Sequence, residues 1–131
     1  MALIVLDASV LIAHLDPDDS LHRAATAALL RHADADLSVP ASAYAEALVD
    51  PARAGRLDEA RDAIQHLDLQ VVPIDRPIAE RAASLRARER SLRLPDALVL
   101  ACGEIMGADA VLSGDRRWRG FDRVELISER D

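Results

Sequence analysis

Lysine is absent from this sequence, in which all 16 basic residues are arginines. P-loop nucleotide-binding proteins need a lysine beside the phosphates, and the chain also lacks their glycine-rich Walker sequence. Receiver domains of similar length depend on a lysine next to an acidic pocket. Both of these function classes are therefore excluded.

Cysteine and aromatic residues are scarce. The single cysteine, Cys102, excludes an intramolecular disulfide and the usual zinc-finger spacings, and it indicates a reducing, cytoplasmic location. Cys102 lies in an apolar run and is predicted to be a core residue. Tyr44, Trp118 and Phe121 are too few for a base-stacking platform. Trp118 or Phe121 is instead expected to pack the loop that follows Asp115.

Long hydrophobic runs are also missing. The apolar start at residues 2–6 is short, has no basic segment before it and is followed at once by Asp7. Neither a signal peptide nor a membrane span is therefore predicted. The length of 131 residues, with 50% hydrophobic and 30% charged residues, fits one globular domain over residues 1–131.

The net charge of −7 is unevenly distributed. Residues 1–75 contain 13 acidic residues against 5 arginines, whereas residues 86–123 contain 8 arginines against 6 acidic residues. A uniformly acidic surface would repel nucleic acid. This distribution permits an arginine-rich rim beside an acidic centre, or alternatively arginines on solvated helix faces.

Apolar patterning predicts strands that alternate with helices, which is typical of a parallel sheet with helices on both faces. The first strand is fully apolar, as expected of a strand buried on both faces, and Pro73 places the third strand at a sheet edge. The predicted strands are residues 2–6, 37–39, 69–74, 110–113 and 124–127. The predicted helices are residues 8–15, 17–33, 41–49, 57–67, 76–90 and 95–106, with Pro51 interrupting the third and Gly107 capping the last.

Four acidic residues fall near the carboxyl ends of the predicted strands, which is where ligands bind in an open parallel sheet. Asp7 directly follows the first strand, and Asp115 follows the fourth across a Ser-Gly step. Asp96 lies in the first turn of a helix, and Glu46 lies early in another. Each acid alone also has an ordinary interpretation as a helix-dipole or turn residue. Asp7 is the hardest to explain in that way, because a carboxylate after a buried strand is costly unless it is compensated.

Convergence of these acids would require a cation. Two carboxylates about 5 Å apart repel by roughly 3 kcal/mol at an effective dielectric constant of about 20. A divalent ion removes that repulsion, and all-oxygen ligands suit Mg²⁺ or Mn²⁺ rather than zinc. The histidines show no close ligand spacing and are predicted to be surface or helix residues: His14, His22, His32 and His66.

The motifs around these acids resemble the PIN domain family, and within it the VapC-type toxins of bacterial toxin–antitoxin pairs. The resemblance runs through nearly the whole chain, and its parts occur in the family's order. They are VLDASVLI at residues 5–12, Ala45-Glu46 after Val39-Pro40, LPDAL at residues 94–98, and ADAVLSGD at residues 108–115 followed by Trp118.

The resemblance implies a three-layer α/β/α sandwich whose central parallel sheet has the strand order 3-2-1-4-5. It also implies that Asp7, Asp96 and Asp115 bind Mg²⁺ directly or through water. Glu46 would be the fourth catalytic acid, which orients the attacking water or helps to hold a second ion.

Other implied site residues are two hydroxyls and several arginines. Ser113 replaces the family's usual Thr, and its hydroxyl and that of Ser9 would support a carboxylate or a water; both could equally be turn residues. Many relatives carry a further Asn or Asp where this chain has Arg116 and Arg117, so the number of ions, one or two, is left open. The arginines that flank two of the acids are candidates for RNA phosphate contacts: Arg93, Arg116, Arg117 and Arg119.

The residues and the resemblance together predict a Mg²⁺-dependent endoribonuclease that hydrolyses RNA phosphodiester bonds as the toxin of a toxin–antitoxin pair. The implied partners are a VapB-type antitoxin, which would place a basic side chain among the carboxylates, and a second copy of the chain in a homodimer. The acidic surplus in residues 1–75 suits a basic partner.

Alternative interpretations remain open. The same site could process other RNA, such as a ribosomal precursor, or a structured DNA flap. The chain could instead be a non-catalytic PIN-like module that binds metal or protein, although the presence of all four acids argues against this. A haloacid-dehalogenase-like phosphatase also begins with a strand and an Asp. That chemistry needs a second Asp where this chain has Ser9, and a lysine that the chain lacks.

Overall fold

The computed structural model describes residues 1–130, in which strands and helices alternate. The strands are β1 (Leu3–Leu6), β2 (Asp36–Pro40), β3 (Gln70–Val72), β4 (Ala110–Ser113) and β5 (Val124–Leu126). The helices are α1 (Ala8–Leu15), α2 (His22–Arg31), α3 (Ala41–Arg53), α4 (Leu57–Gln65), α5 (Arg76–Arg88) and α6 (Leu94–Met106). A short 3₁₀ helix at Arg116–Trp118 follows β4 and was not predicted from the sequence.

The five strands form one parallel sheet in the order β3-β2-β1-β4-β5. The predicted fold class and strand order are therefore confirmed. Val5 of the central strand pairs with Ser38 on one side and Val111 on the other, and its side chain is completely buried. The strand β3 lies at the edge of the sheet, as predicted, although it ends at Val72 and Pro73 lies just beyond it.

Helices cover both faces of the sheet. The chain moves outward from β1 to β3, and right-handed crossovers place α1 to α4 on one face. The return from β3 to β4 carries α5 and α6 to the other face, where these two helices pack on each other and α6 packs on β1, β2 and β4. Both faces of the central strands are therefore buried, which explains why β1 is apolar throughout.

The helix predicted over residues 17–33 begins only at His22. Asp16 and Asp19 accept hydrogen bonds from backbone N–H groups two residues later, at 2.9 and 2.8 Å. Aspartate side chains that bind the backbone in this way stabilise turns in place of helix. The start of this helix was predicted wrongly because apolar spacing indicates which residues are buried. It does not indicate where aspartate side chains compete with the helix for backbone hydrogen bonds.

Pro51 does not interrupt α3, contrary to the prediction, and the helix continues to Arg53. Proline removes one backbone hydrogen bond from a helix. Here the loss falls in the last turn, where only two helical residues follow. The other predicted boundaries agree with the structure to within about two residues, and Gly107 ends α6 in the left-handed conformation with φ 65°.

The core position of the single cysteine was also predicted, and Trp118 or Phe121 was expected to pack the loop after Asp115. Cys102 is fully buried as a free thiol, and burial raises its pKa to about 11. Trp118 is 1% exposed, and Phe121 packs against the same core. Within residues 1–130 no helix combines the length and hydropathy that crossing a membrane requires.

Gly103 marks a close approach between α6 and β4. A Cβ atom at this position would lie 2.6 Å from the Cγ2 atom of Val111. Val111 is buried, and its β-branched side chain has little freedom to move away. We expect Gly103→Ala to lower the free energy of unfolding by about 1–3 kcal/mol, measured by urea denaturation, because overpacking forces the two elements apart.

The matched control for this prediction is the double variant Gly103→Ala/Val111→Ala. Removing the Val111 methyl groups opens the space that the new Cβ needs, so the two changes should cost less together than the sum of each alone. Simple additivity of the two free energies would contradict the proposed clash.

Candidate metal centre

The four predicted acids lie at the carboxyl-end edge of the sheet. Asp7 follows β1, and its backbone N–H donates to the carbonyl of Leu112 in β4 at 2.9 Å, which joins the two central strands at their exits. Asp115 follows β4 across Gly114. Glu46 is in α3, directly after β2, and Asp96 is in the first turn of α6.

Asp7 is buried, with 8% exposure, and two serine hydroxyls hold its carboxylate. Ser9 Oγ and Ser113 Oγ both donate to the same oxygen, Asp7 Oδ2, at 2.7 and 3.0 Å. The hydroxyls in turn accept hydrogen bonds from the backbone N–H groups of Gly114 and Asp115, at 2.9 and 3.0 Å. The orientation of Asp7 is therefore set by the segment that carries Asp115.

Burial and like charge act together on two of the acids, Asp7 and Glu46. Burial raises the pKa of Asp7 more than its hydrogen bonds lower it, and the neighbouring Asp96 adds to the rise. Partial burial also raises the pKa of Glu46, with further contributions from Asp7 and then Asp96. Asp7 and Glu46 therefore share one electrostatic environment, in which the charge of Asp96 makes ionisation of both less favourable and the charge of Asp7 does the same for Glu46.

Asp115 has a different environment because Arg117 holds it. Arg117 Nη2 lies 2.6 Å from Asp115 Oδ2, its Nε lies 3.0 Å from Oδ1, and its backbone N–H donates to Oδ1 at 3.0 Å. These hydrogen bonds lower the pKa of Asp115, as does the charge of Arg93. Arg93 also pairs with Asp96, at 3.5 Å between Nε and Oδ2.

The acids share an edge but are not drawn together as ligands. Within residues 1–130, no three Asp, Glu, His or Cys side chains form a group close enough to hold a metal ion. The donor chemistry nevertheless fits a hard divalent cation, because the potential ligands among these residues are carboxylate and hydroxyl oxygens. The mutual repulsion of Asp7, Glu46 and Asp96 is the kind of penalty that such a cation removes.

The four arginines predicted to contact RNA fall into two groups. Arg93 and Arg117 pair with acids of the site, Asp96 and Asp115. Arg116 and Arg119 are exposed beside them on the segment after β4. The sequence did not reveal the pairing of Arg117, although Asp-x-Arg after a strand is a spacing at which an aspartate can cap a turn.

The histidines are engaged away from these acids. His14 contacts Thr26 Oγ1 and His32 contacts Glu125, while His22 and His66 contact backbone carbonyls. His14 and His22 lie in helices, as predicted, and His32 and His66 directly follow the last residues of α2 and α4.

A groove beside Glu46 runs between α1, α3 and α4 and has a volume of about 550 Å³. Its apolar wall includes Ile12, Leu15 and Ala47. Its acidic lining residues are Asp16, Asp18, Glu46, Asp50 and Glu59, and Arg56 is the basic one. A larger cavity of about 960 Å³ lies at the opposite edge of the sheet, near Leu3 and Asp36, and contains none of the four acids.

Comparison with known proteins identifies the family. The family profile described as the PIN domain matches residues 4–125. The chain belongs to the PIN domain family. No curated protein matches this PIN domain significantly.

Solved structures resemble this PIN domain over nearly its whole length. A chain of a toxin–antitoxin complex from Klebsiella pneumoniae is 24% identical with a TM-score of 0.78, and the match covers 96% of this chain and 97% of that one. A chain of VapBC2 from Rickettsia felis, bound to a promoter DNA fragment, is 9% identical with a TM-score of 0.76, covering 96% and 99%. VapC20 of Mycobacterium tuberculosis, a sarcin–ricin loop cleaving toxin, is 19% identical with a TM-score of 0.72, covering 92% and 98%. At these identities the matches show the shared fold.

Proposed function

We propose that this chain is a single PIN domain that cleaves RNA with Mg²⁺ and serves as the toxin of a toxin–antitoxin pair. The observation that carries the proposal is the buried carboxylate of Asp7, whose ionisation is opposed by burial and by Asp96. A protein keeps such a group when a cation or a reaction compensates its cost. Membership of the PIN domain family supports hydrolysis of a phosphodiester bond.

Asp7, Asp96 and Asp115 would hold the ion, directly or through water, and Glu46 would be the fourth acid. When bound, Mg²⁺ supplies charge that stabilises the phosphate and lowers the pKa of a water molecule. Ser9 and Ser113 keep the Asp7 carboxylate in one orientation, so that little reorganisation is needed when substrate binds.

Other residues of the chain would position the attacking water and bind the RNA backbone. Glu46 has a raised pKa and stands at the edge of the groove, where its carboxylate can orient water and accept its proton. Arg116 and Arg119 are exposed on the segment that carries Asp115, where they would contact phosphates of the RNA.

The proposed antitoxin would bind the groove beside Glu46. The groove combines apolar residues with an excess of acidic ones, which fits a partner segment that has an apolar face and a basic side chain. Structures of the same fold from toxin–antitoxin complexes support the proposal of an antitoxin partner. A homodimer is part of the same proposal.

Metal dependence tests the proposed activity. Purified protein is incubated with total bacterial RNA, and the new 5′ ends are sequenced. We expect cleavage at a small number of sites in Mg²⁺, none after treatment with EDTA, and recovery when Mn²⁺ is added. Cleavage that persists in EDTA would contradict the metal mechanism, and intact RNA under all conditions would contradict the nuclease.

One observation favours the non-catalytic alternative, namely that Arg117 already neutralises Asp115. In that case the chain would bind a partner through the acidic edge without cutting RNA. The same experiment distinguishes the two functions, because a binding module leaves the RNA intact in both metals.

A further inference from the structure

Both carboxylate oxygens of Asp115 are engaged by Arg117. Oδ1 accepts from the backbone N–H and from Nε, each at 3.0 Å, and Oδ2 accepts from Nη2 at 2.6 Å and from Nε at 3.2 Å. This is a bidentate arrangement, which is the strongest geometry for an arginine and a carboxylate. The side chain of Asp115 is 20% exposed, so its other directions are largely covered by protein.

The short tether makes this pair persistent. Arg117 lies two residues after Asp115, and the 3₁₀ helix between Arg116 and Trp118 fixes the backbone that joins them. The helix is held in turn by Trp118, which is buried and whose backbone N–H donates to the carbonyl of Asp115 at 3.0 Å. The guanidinium therefore meets the carboxylate at a high effective concentration.

A cation that uses Asp115 as a ligand must take an oxygen that Arg117 now occupies. We propose that Arg117 is a counter-ion built into the chain, which closes Asp115 to metal until a divalent ion displaces the guanidinium. This inference rests on the proposed function and describes the regulation of that same site. It also implies an order of events, because Arg117 can contact an RNA phosphate only after it has left Asp115.

The neighbouring arginine provides a matched control. Arg116 is exposed on the same 3₁₀ helix, carries the same charge and forms no ion pair within residues 1–130. Removal of either arginine makes the acidic edge more negative and attracts cations in general. Only removal of Arg117 also opens the oxygens of Asp115.

The test measures the affinity for Mn²⁺ alone, by electron paramagnetic resonance, at about 0.15 M KCl, where charges more than about 8 Å apart are screened. We expect Arg117→Gln to bind Mn²⁺ about fivefold more tightly than the unaltered chain. The expected change is modest because Arg117 is 61% exposed, and solvent weakens the ion pair that Mn²⁺ has to break. Arg117→Lys should tighten binding about twofold, since it keeps the charge but loses the bidentate geometry. Arg116→Gln and Arg116→Lys should stay within about 1.5-fold of the unaltered chain, because Arg116 is exposed and, within residues 1–130, holds no carboxylate oxygen that its removal would open.

Equal effects at positions 116 and 117, or unchanged affinity in Arg117→Lys, would overturn the displacement mechanism and leave only a general field effect. Absence of Mn²⁺ binding in every variant would instead overturn the proposed metal site itself. The two failures are therefore distinguishable.

Discussion

Asp7→Asn is expected to reduce Mg²⁺-dependent RNA cleavage by about 10³-fold, since metal-assisted charge stabilisation contributes several kcal/mol and each 1.36 kcal/mol is about tenfold in rate. The same variant should be more stable than the unaltered chain. A neutral amide of the same shape relieves both the burial of charge and the repulsion from Asp96, and its oxygen can still accept from Ser9 and Ser113. A gain of about 1 kcal/mol, or a few degrees in Tm, is expected.

Opposite changes in activity and stability are specific to a functional carboxylate. Activity is measured by initial rates on a cleaved RNA, and stability by thermal unfolding followed by circular dichroism. Addition of Mg²⁺ should raise the Tm of the unaltered chain but not that of Asp7→Asn, because a ligand stabilises only the state that binds it. Asp122→Asn, a change of an exposed acid on the segment after β4, is the control and should alter neither property. A destabilised Asp7→Asn variant would show that Asp7 serves the fold rather than the reaction.

Trp118→Ala should have the largest effect on stability. The side chain is 1% exposed, and truncation of a buried aromatic residue costs about 3–5 kcal/mol through lost burial and the cavity that remains. Since domains of this kind are stable by about 5–15 kcal/mol, a loss of this size is a large fraction of the total stability. The measurement is the free energy of unfolding in urea.

Trp118→Phe is the matched comparison. The buried indole Nε1 atom has no hydrogen-bond partner within residues 1–130, so phenylalanine loses packing but no hydrogen bond. A loss of about 1–2 kcal/mol is expected, clearly smaller than that of alanine. Equal losses in both variants would show that the ring size, and not the presence of a ring, determines the packing of the loop after Asp115.

Local patterns predicted most of the secondary structure because apolar spacing records which faces become buried. The apolar run before Asp7 predicted a central strand, and Gly107 predicted the end of α6. The failures have local causes that spacing does not contain. Asp16 and Asp19 hold a turn where a helix was predicted, and Pro51 falls where its missing N–H costs little.

The candidate site was only partly visible in the sequence. The positions of Asp7 and Asp115 after strands placed them at one edge, because parallel strands end together. The sequence did not indicate that Ser9 and Ser113 share one oxygen of Asp7, or that Arg117 holds Asp115. The assignment of the four acids to a metal stays a prediction.

The sequence by itself determined the element types, the parallel sheet and the edge at which its acids gather, because these follow from periodicity, burial and the direction of strands. Only the tertiary structure decided which side chains meet there. Ser113 reaches Asp7 across 106 positions of chain, and such a contact exists only after the sheet has closed β4 against β1. Hydrogen bonds and charges at that edge depend on distances of a few tenths of an ångström, which no pattern of residue types encodes.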